Sequence, residues 1–339
     1  MLKVGVIGAG SVMRAAHAGA YEGRDDVRVA AIAEPVAEWR QALGERLGCD
    51  VFFDSYEELL ARADVDAVDI CLPHWLHGPT VMAALNAGKH VILDKPIALS
   101  LAEADEMIAT AKAKDLKFFV ALNQRFHAPH REMHAICAGG TEGQPFLAIM
   151  HVLGDEFANM NNPGHWKGDK EKAGGGALLD TGTHIFDLSR WWFGRPKTIS
   201  CQGGRFVVEP ENKAEDNVIV TLGYDHMMVN LLVSYTACSD PWTEDKAIYF
   251  RDASYHLSFD PDRALRKVTG KGAGEPIAVQ AEEAWWSASV SACVSHFLDC
   301  ILGKATPEYG PEAAREVLEL LELAYTAMRE GRTVEVPEA

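Results

Sequence analysis

The sequence predicts an α/β protein in two parts: a doubly wound, parallel-sheet domain over residues 1–123, and an α/β domain with a large, mainly antiparallel open sheet over residues 124–339. Two observations carry this prediction. Up to about residue 122, short apolar runs alternate with helical stretches at the spacing of strand–helix–strand units, which favours a parallel sheet. Past Trp192, strand-like runs follow one another without intervening helices, which favours antiparallel pairing.

Leu2–Ile7 is an apolar strand, and Gly8-Ala9-Gly10-Ser11-Val12-Met13 follows at once. Glycine at 8 permits a tight turn, and glycine at 10 lets backbone approach a pyrophosphate held at a helix N-terminus. Met13 stands where a small residue would allow close helix–strand packing. The second strand, Val27–Ala33, ends in Glu34, where a dinucleotide fold places the carboxylate that accepts hydrogen bonds from the adenosine ribose. Pro35 follows, so no arginine stands beside that acid to receive a ribose phosphate. Arg40, further along the next helix, keeps NADP open beside NAD.

The alternation continues through strand Val51–Phe53, helix Tyr56–Ala63, strand Ala67–Leu72, helix 79–87, strand His90–Leu93, helix 101–114 and strand Lys117–Leu122. In such sheets ligands sit at the carboxyl ends of the strands. That singles out Leu72, Pro73, His74 and His77, then Asp94-Lys95-Pro96, then Asn123 and Arg125. Pro96 holds the residues before it extended, so Lys95 cannot easily swing away. His74 and His77 are three apart, with no third ligand at a sensible spacing, and no metal is expected. His77 is expected to cap or line the cofactor pocket.

In the second part, a helix His127–Ala138 leads to strand Phe146–Val152 and a polar loop, 154–173. The loop's Asn161, His165 and Trp166 suit stacking on, and hydrogen bonding to, a hydroxylated ligand. Gly174 to Trp192, GGGALLDTGTHIFDLSRWW, reads as three pliable glycines followed by one buried helix. Asp180 and His184 lie four apart on one face of it. A buried carboxylate beside a buried imidazole is costly unless each satisfies the other. The pair reads either as a core hydrogen bond or as a histidine base whose charged form the aspartate stabilises. Strands Val218–Tyr224, Met228–Tyr235, Lys246–Phe250 and Tyr255–Phe259 follow, with a turn at 260–262. Helices Glu282–Leu302 and Pro311–Arg329 close the chain.

Hydrophobic residues at 48% and charged residues at 24% are ordinary for a soluble protein, whereas a net charge of -17 argues against nucleic acid or an anionic membrane as partner. Scattered cysteines without C-x-x-C, no signal peptide and no bilayer-length apolar run point to a reducing, cytoplasmic setting.

The glycine loop, Glu34, the Asp94-Lys95-Pro96 turn and the stretch holding Asp180 and His184 together resemble, in order and over nearly the whole chain, the Gfo/Idh/MocA oxidoreductase family. The family commonly has glutamate before the lysine and a small residue at the third fingerprint position; Asp94 and Met13 depart from this. The resemblance implies a Rossmann domain binding NAD, with NADP possible, and a second domain whose open sheet serves homodimer or homotetramer contacts. It implies reversible oxidation of a secondary alcohol on a sugar, inositol or related polyol. His184 would remove the hydroxyl proton, Asp180 would orient and charge-stabilise it, and Lys95 would hydrogen-bond the reacting oxygen. Cofactor contacts would come from Gly8, Gly10, Ser11, Val12, Met13, Glu34, Leu72, Pro73, His74, His77, Asp94, Lys95, Pro96 and Asn123. Substrate contacts would come from Lys95, Arg125, His165, Trp166, Asp180 and His184. A pocket wall that also draws on His127, Asp155, Asn161 and Asp187 is poor in cations, which favours a neutral cyclic polyol over a phosphorylated or acidic one. Two other readings stay open: a glycosidase that oxidises its sugar transiently with tightly held NAD, and a non-catalytic NAD- and sugar-binding sensor.

Overall fold

The computed structural model describes residues 1–162, 164–209, 214–237, 242–258, 264–272, 274–279 and 285–338. Phe259, the turn expected at 260–262 and the expected helix start at 282–284 lie outside these. The chain forms two compact units, Met1–Phe126 with Ala284–Glu316, and His127–Glu283 with Val317–Ala339.

The first unit begins β1 (Leu2–Ile7), α1 (Ser11–Ala15), β2 (Val27–Ala33), α2 (Ala37–Leu47), β3 (Phe52–Phe53) and α3 (Tyr56–Arg62). It continues β4 (Ala67–Ile70), α4 (His77–Asn86), β5 (His90–Leu93), α5 (Leu101–Ala113) and β6 (Phe118–Val120). The six strands pair in parallel in the order β3-β2-β1-β4-β5-β6. The order reverses between β1 and β4, the switch point at which open α/β sheets bind ligands. Val4, Val6, Val68 and Ile92 are fully buried, as expected of parallel strands covered on both faces. Ser55 and Ser100 cap α3 and α5, each accepting from the backbone N–H three residues on.

The second unit holds α6 (Ala128–Gly139), β7 (Leu147–Leu153), α7 (Phe157–Met160), α8 (Lys170–Ala173), α9 (Ala177–Asp180) and α10 (Gly182–Phe193). Its remaining strands are β8 (Thr198–Gly204), β9 (Asn217–Gly223), β10 (Met228–Ser234), β11 (Thr243–Tyr249), β12 (Ser254–Leu257), β13 (Leu265–Val268), β14 (Glu275–Pro276) and, near the end of the chain, β15 (Val334–Glu335). Between β14 and β15 run α11 (Trp285–Ile301) and α12 (Pro311–Glu330). The nine strands order as β14-β13-β12-β11-β7-β10-β9-β8-β15. β7 and β10 pair in parallel, and every other neighbouring pair is antiparallel. Burial alternates residue by residue along β7, β9 and β11, so one face is packed and the other open. Val229, Leu231 and Val233 lie on the packed face, and Ile149, Ile219 and Met228, 42–57% exposed, on the open one.

Two local expectations are corrected. The loop 154–173 contains helical turns at Phe157–Met160, Trp166–Gly168 and Lys170–Ala173. The stretch 174–192 is two helices, broken at Thr181, where the His184 N–H bonds back to Thr181 O rather than to residue 180. Residues 284–316 group with the first compact unit. No described helix is long and apolar enough to cross a membrane.

Candidate active site

In the first unit, Gly8, Glu34, Pro73, Asp94, Lys95 and Asn123 all follow the carboxyl ends of parallel strands. Gly8 has φ +90°, and a Cβ there would stand 2.2 Å from Cys71 O, so this close approach admits only glycine. A Cβ on Gly10, the N-cap of α1, would meet nothing within 4 Å, and no side chain caps the helix. Glu34 is buried; its Oε2 accepts from the Ala9 N–H and its Oε1 from the Val36 N–H, both at 2.9 Å. The carboxylate is thereby fixed against the glycine loop, and each oxygen can accept a further bond. The open cradle at Gly10 and the anchored acid fit a dinucleotide. Ser11 and Val12 open α1 and supply backbone to that cradle, whereas Met13 is fully buried. Its side chain packs in the core. Arg40 donates to Glu34 O at 2.9 Å and pairs with Asp54, which leaves its charge compensated.

His77 is fully buried. Its Nδ1 is 2.7 Å from Pro96 O and its Nε2 2.8 Å from Leu72 O, so it braces two strand-end turns. Burial pushes its pKa down, and a neutral ring donates to one of these carbonyls at a time. His74 is buried edge-on to it, with ring centroids 5.7 Å apart. Asn123 donates to Ser289 Oγ at 2.8 Å, and the buried Arg125 guanidinium lies 4.6 Å from the Tyr309 ring centre.

Beneath the Asp94-Lys95 turn lies a charge network not anticipated from the sequence. His17 and Asp69 are both fully buried, with Nδ1 3.0 and 3.1 Å from the two carboxylate oxygens. Tyr21 donates to Asp69 Oδ2 at 2.8 Å, and His17 Nε2 faces Asp94 Oδ1 at 3.7 Å. Burial opposes the imidazolium, but Asp69 and then its other neighbours outweigh it and hold the His17 pKa well above its ordinary value. Burial likewise opposes the Asp94 charge, but His17 and then Lys95 hold that carboxyl below the usual range. Cys71 completes a His–Asp–Cys group whose ligand atoms lie within 4.8 Å of one another. Burial pushes its thiol up to about 12, and with Asp69 already engaged by His17 and Tyr21 the group is an ion-pair cluster. The signal was present in the sequence: Asp69 is a lone charge in a strand buried at every position, and such a charge requires a partner.

In the second unit the glycines before α9 are set by close contact. A Cβ on Gly176 would lie 1.9 Å from Glu215 O, and one on Gly175 2.0 Å from the Tyr325 hydroxyl. Glu215 Oε1 in turn accepts from the Gly176 and Leu178 N–H groups and from Tyr325. This anchors α9, whose last residue is Asp180. Asp180 Oδ2 accepts from the Tyr235 hydroxyl and lies 3.1 Å from Lys167 Nζ, while Thr181 donates to the Tyr235 oxygen at 2.8 Å. Lys167 also reaches Glu156 Oε1 at 3.1 Å. His184 lies one turn on, part-buried in the first turn of α10.

Lys167, Glu156 and Tyr235 were not singled out from the sequence, and they surround the aspartate that was. His165 stacks on Trp166 at 6.0 Å and accepts from the Lys167 N–H. Asp155 caps Phe157 N–H, and Asn161 bonds to Phe157 O and the Glu209 N–H, so both build the loop. Asp187 is buried in α10, and His127 is half-buried, its pKa pushed down to about 3 by desolvation and then by the Lys246 charge.

Comparison with known proteins agrees with this geometry. Residues 2–122 match the profile described as an oxidoreductase family with an NAD-binding Rossmann fold, and residues 143–336 match its C-terminal alpha/beta domain. Myo-inositol 2-dehydrogenase of Thermotoga maritima is 31% identical over a match covering 63% of this chain and 62% of that one. D-glucoside 3-dehydrogenase of Escherichia coli is 30% identical, over 60% of this chain and 58% of its own. The match therefore spans about three-fifths of the length of these curated relatives. The structure of levoglucosan dehydrogenase in complex with NADH has the same fold, with TM-score 0.85 at 21% identity over 100% of both chains. With matches to both of its characteristic domains, the chain belongs to the Gfo/Idh/MocA oxidoreductase family.

Proposed function

We propose that the chain is an NAD-dependent dehydrogenase that oxidises a secondary alcohol of a neutral cyclic polyol, a sugar or an inositol. The observation that carries this reading is the clamp on Asp180. An oxygen that takes both a phenol and an ammonium donor is a poor proton acceptor, so Asp180 serves as a fixed anion. The imidazole of His184, four residues on, is then the group suited to accept the substrate hydroxyl proton. Lys95, held at a strand end by the braced Pro96 carbonyl, would donate to the oxygen as charge develops on it. NAD, when bound at the Gly8–Gly10 cradle, supplies the two-electron acceptor. Glu34 would hold the ribose hydroxyls, and its charge, together with the compensated Arg40, disfavours a ribose phosphate.

The substrate class is supported by the names of the relatives, which act on inositol, glucosides and levoglucosan. Among the described residues of loop 154–173, the cation placed at Asp180 is Lys167, and two carboxylates already hold it, which suits a neutral ligand. The open face of the nine-stranded sheet would serve a homodimer or homotetramer, in a cytoplasmic setting.

The test follows absorbance of reduced nicotinamide with sugars, cyclitols and polyols, each with NAD and NADP. A substrate that drives NAD reduction, lost by roughly a hundredfold or more in His184→Ala and Lys95→Ala, supports the reading. A sugar cleaved with no net nicotinamide change would replace it with the glycosidase reading, and sugar binding without turnover with the sensor.

A further inference from the structure

Loop 154–173 carries Lys167, Lys170 and Lys172 among several acids. Lys172 lies on the surface, its side chain 51% exposed, whereas that of Lys167 is 20% exposed. Its Nζ stands 3.1 Å from Glu156 Oε1 and 3.1 Å from Asp180 Oδ2, and 5.4 Å from the Tyr235 ring centre. Burial works against this ammonium, but Asp180 and then Glu156 outweigh it and raise its pKa. Lys167 therefore stays charged wherever the carboxylates are ionised. A bare Asp180 carboxylate would strongly favour a proton on a nearby imidazole. A carboxylate half-neutralised by an ammonium favours it less.

We infer that Lys167 is a positioning residue of the reaction: acting through Asp180, it fixes that carboxylate and discounts its negative field, and so sets the pH above which His184 can accept the substrate proton. This rests on the reading of His184 as the base. The groups that share the neighbourhood are the Glu156 and Asp180 carboxylates, the Tyr235 phenol from β10's end, and His165, which faces both Lys167 and Glu156. Glu156 competes for the same ammonium. Removing Lys167 takes its ammonium from both carboxylates, whereas removing the Glu156 charge gives Lys167 wholly to Asp180. The two changes act in opposite senses on the imidazole.

The experiment measures kcat/KM against pH for the intact enzyme with its best polyol substrate and NAD. In Lys167→Met the acid limb moves up by about one unit, and in Glu156→Gln it moves down, by a smaller amount. Lys167→Arg restores the limb toward its original position, and NAD affinity, read by quenching of protein fluorescence, changes less than threefold throughout. Limbs that stay in place in both variants, or move the same way, overturn the inference; should Lys167→Met not fold, the Glu156→Gln limb alone decides. His184→Ala separates the two levels. Near-normal turnover in that variant sinks the assignment of the base and this inference with it, whereas loss of turnover with unmoved limbs sinks this inference alone.

Discussion

Replacing Asp69 with asparagine keeps the shape of the buried His17 site and removes its charge. At 3.0 Å and an effective dielectric of about 20, the attraction between the two groups is about 5 kcal/mol. Part of that is offset by the burial of both ions, and removing one partner of such a pair costs about 3–5 kcal/mol. At roughly 2–4 °C per kcal/mol for a unit of this size, the unfolding transition should fall by roughly 6–20 °C near pH 6. The pH dependence has a definite sign. The His17 pKa is raised in the folded protein, so its contribution is fully present below the unfolded histidine pKa of about 6.5. It is lost as pH rises through the higher folded value. The gap between wild type and Asp69→Asn should therefore be widest in mild acid and narrow in alkali. Thermal unfolding followed by circular dichroism at pH 6, 8 and 10, with His17→Gln and the double variant, measures this. Additive single effects, or a gap that grows with pH, would refute a buried imidazolium.

Two further outcomes follow from the cofactor half. Replacing Glu34 by Ser together with Pro35 by Arg should raise the ratio of NADP to NAD efficiency by tenfold or more, and an unmodified enzyme already faster with NADP at equal low concentration would contradict the role given to Glu34. Met13→Ala should cost about 2–5 kcal/mol of stability in urea unfolding because the side chain is fully buried, while NAD affinity stays within threefold; a large loss of affinity with little loss of stability would place Met13 at the cofactor instead.

What could be read from the sequence was whatever local pattern dictates. The parallel strands announced themselves as short apolar runs alternating with helical stretches, and Asp180 and His184 as neighbours at helical spacing. The short strands β13 and β14 were not legible, because runs of four and two residues carry too little alternation to separate strand from turn. β8 ends in two glycines and reads as a loop. The partners of chemistry were hidden by distance along the chain: His17 meets Asp69, and Asp180 meets Tyr235, across more than fifty residues. The helix break at Thr181 was equally silent, since threonine is tolerated in helices; in the structure the His184 N–H bond to Thr181 O and the Thr183 hydroxyl's bond back to Leu179 O mark it.

The return of α11 to the first unit bears on how the protein comes into being. Phe119 on β6 stacks flat against Phe297, with ring centres 4.5 Å apart, and Tyr309 donates to Val120 O and accepts from the Leu122 N–H. Arg24 is held by Asp299 and Ser295, and Ser291 donates to Ala16 O. A ribosome that has released residues 1–126 has thus made every strand of the nucleotide-binding sheet but not the helix that covers part of it. About 160 more residues, most of the other unit, must emerge before that flank is dry. The nascent first unit waits half-finished with an aromatic flank in water, the kind of surface on which chaperones act. A fragment cut at residue 126 would carry the same defect permanently, so the nucleotide-binding half is expected to be recovered as a soluble piece only when 285–316 is supplied with it.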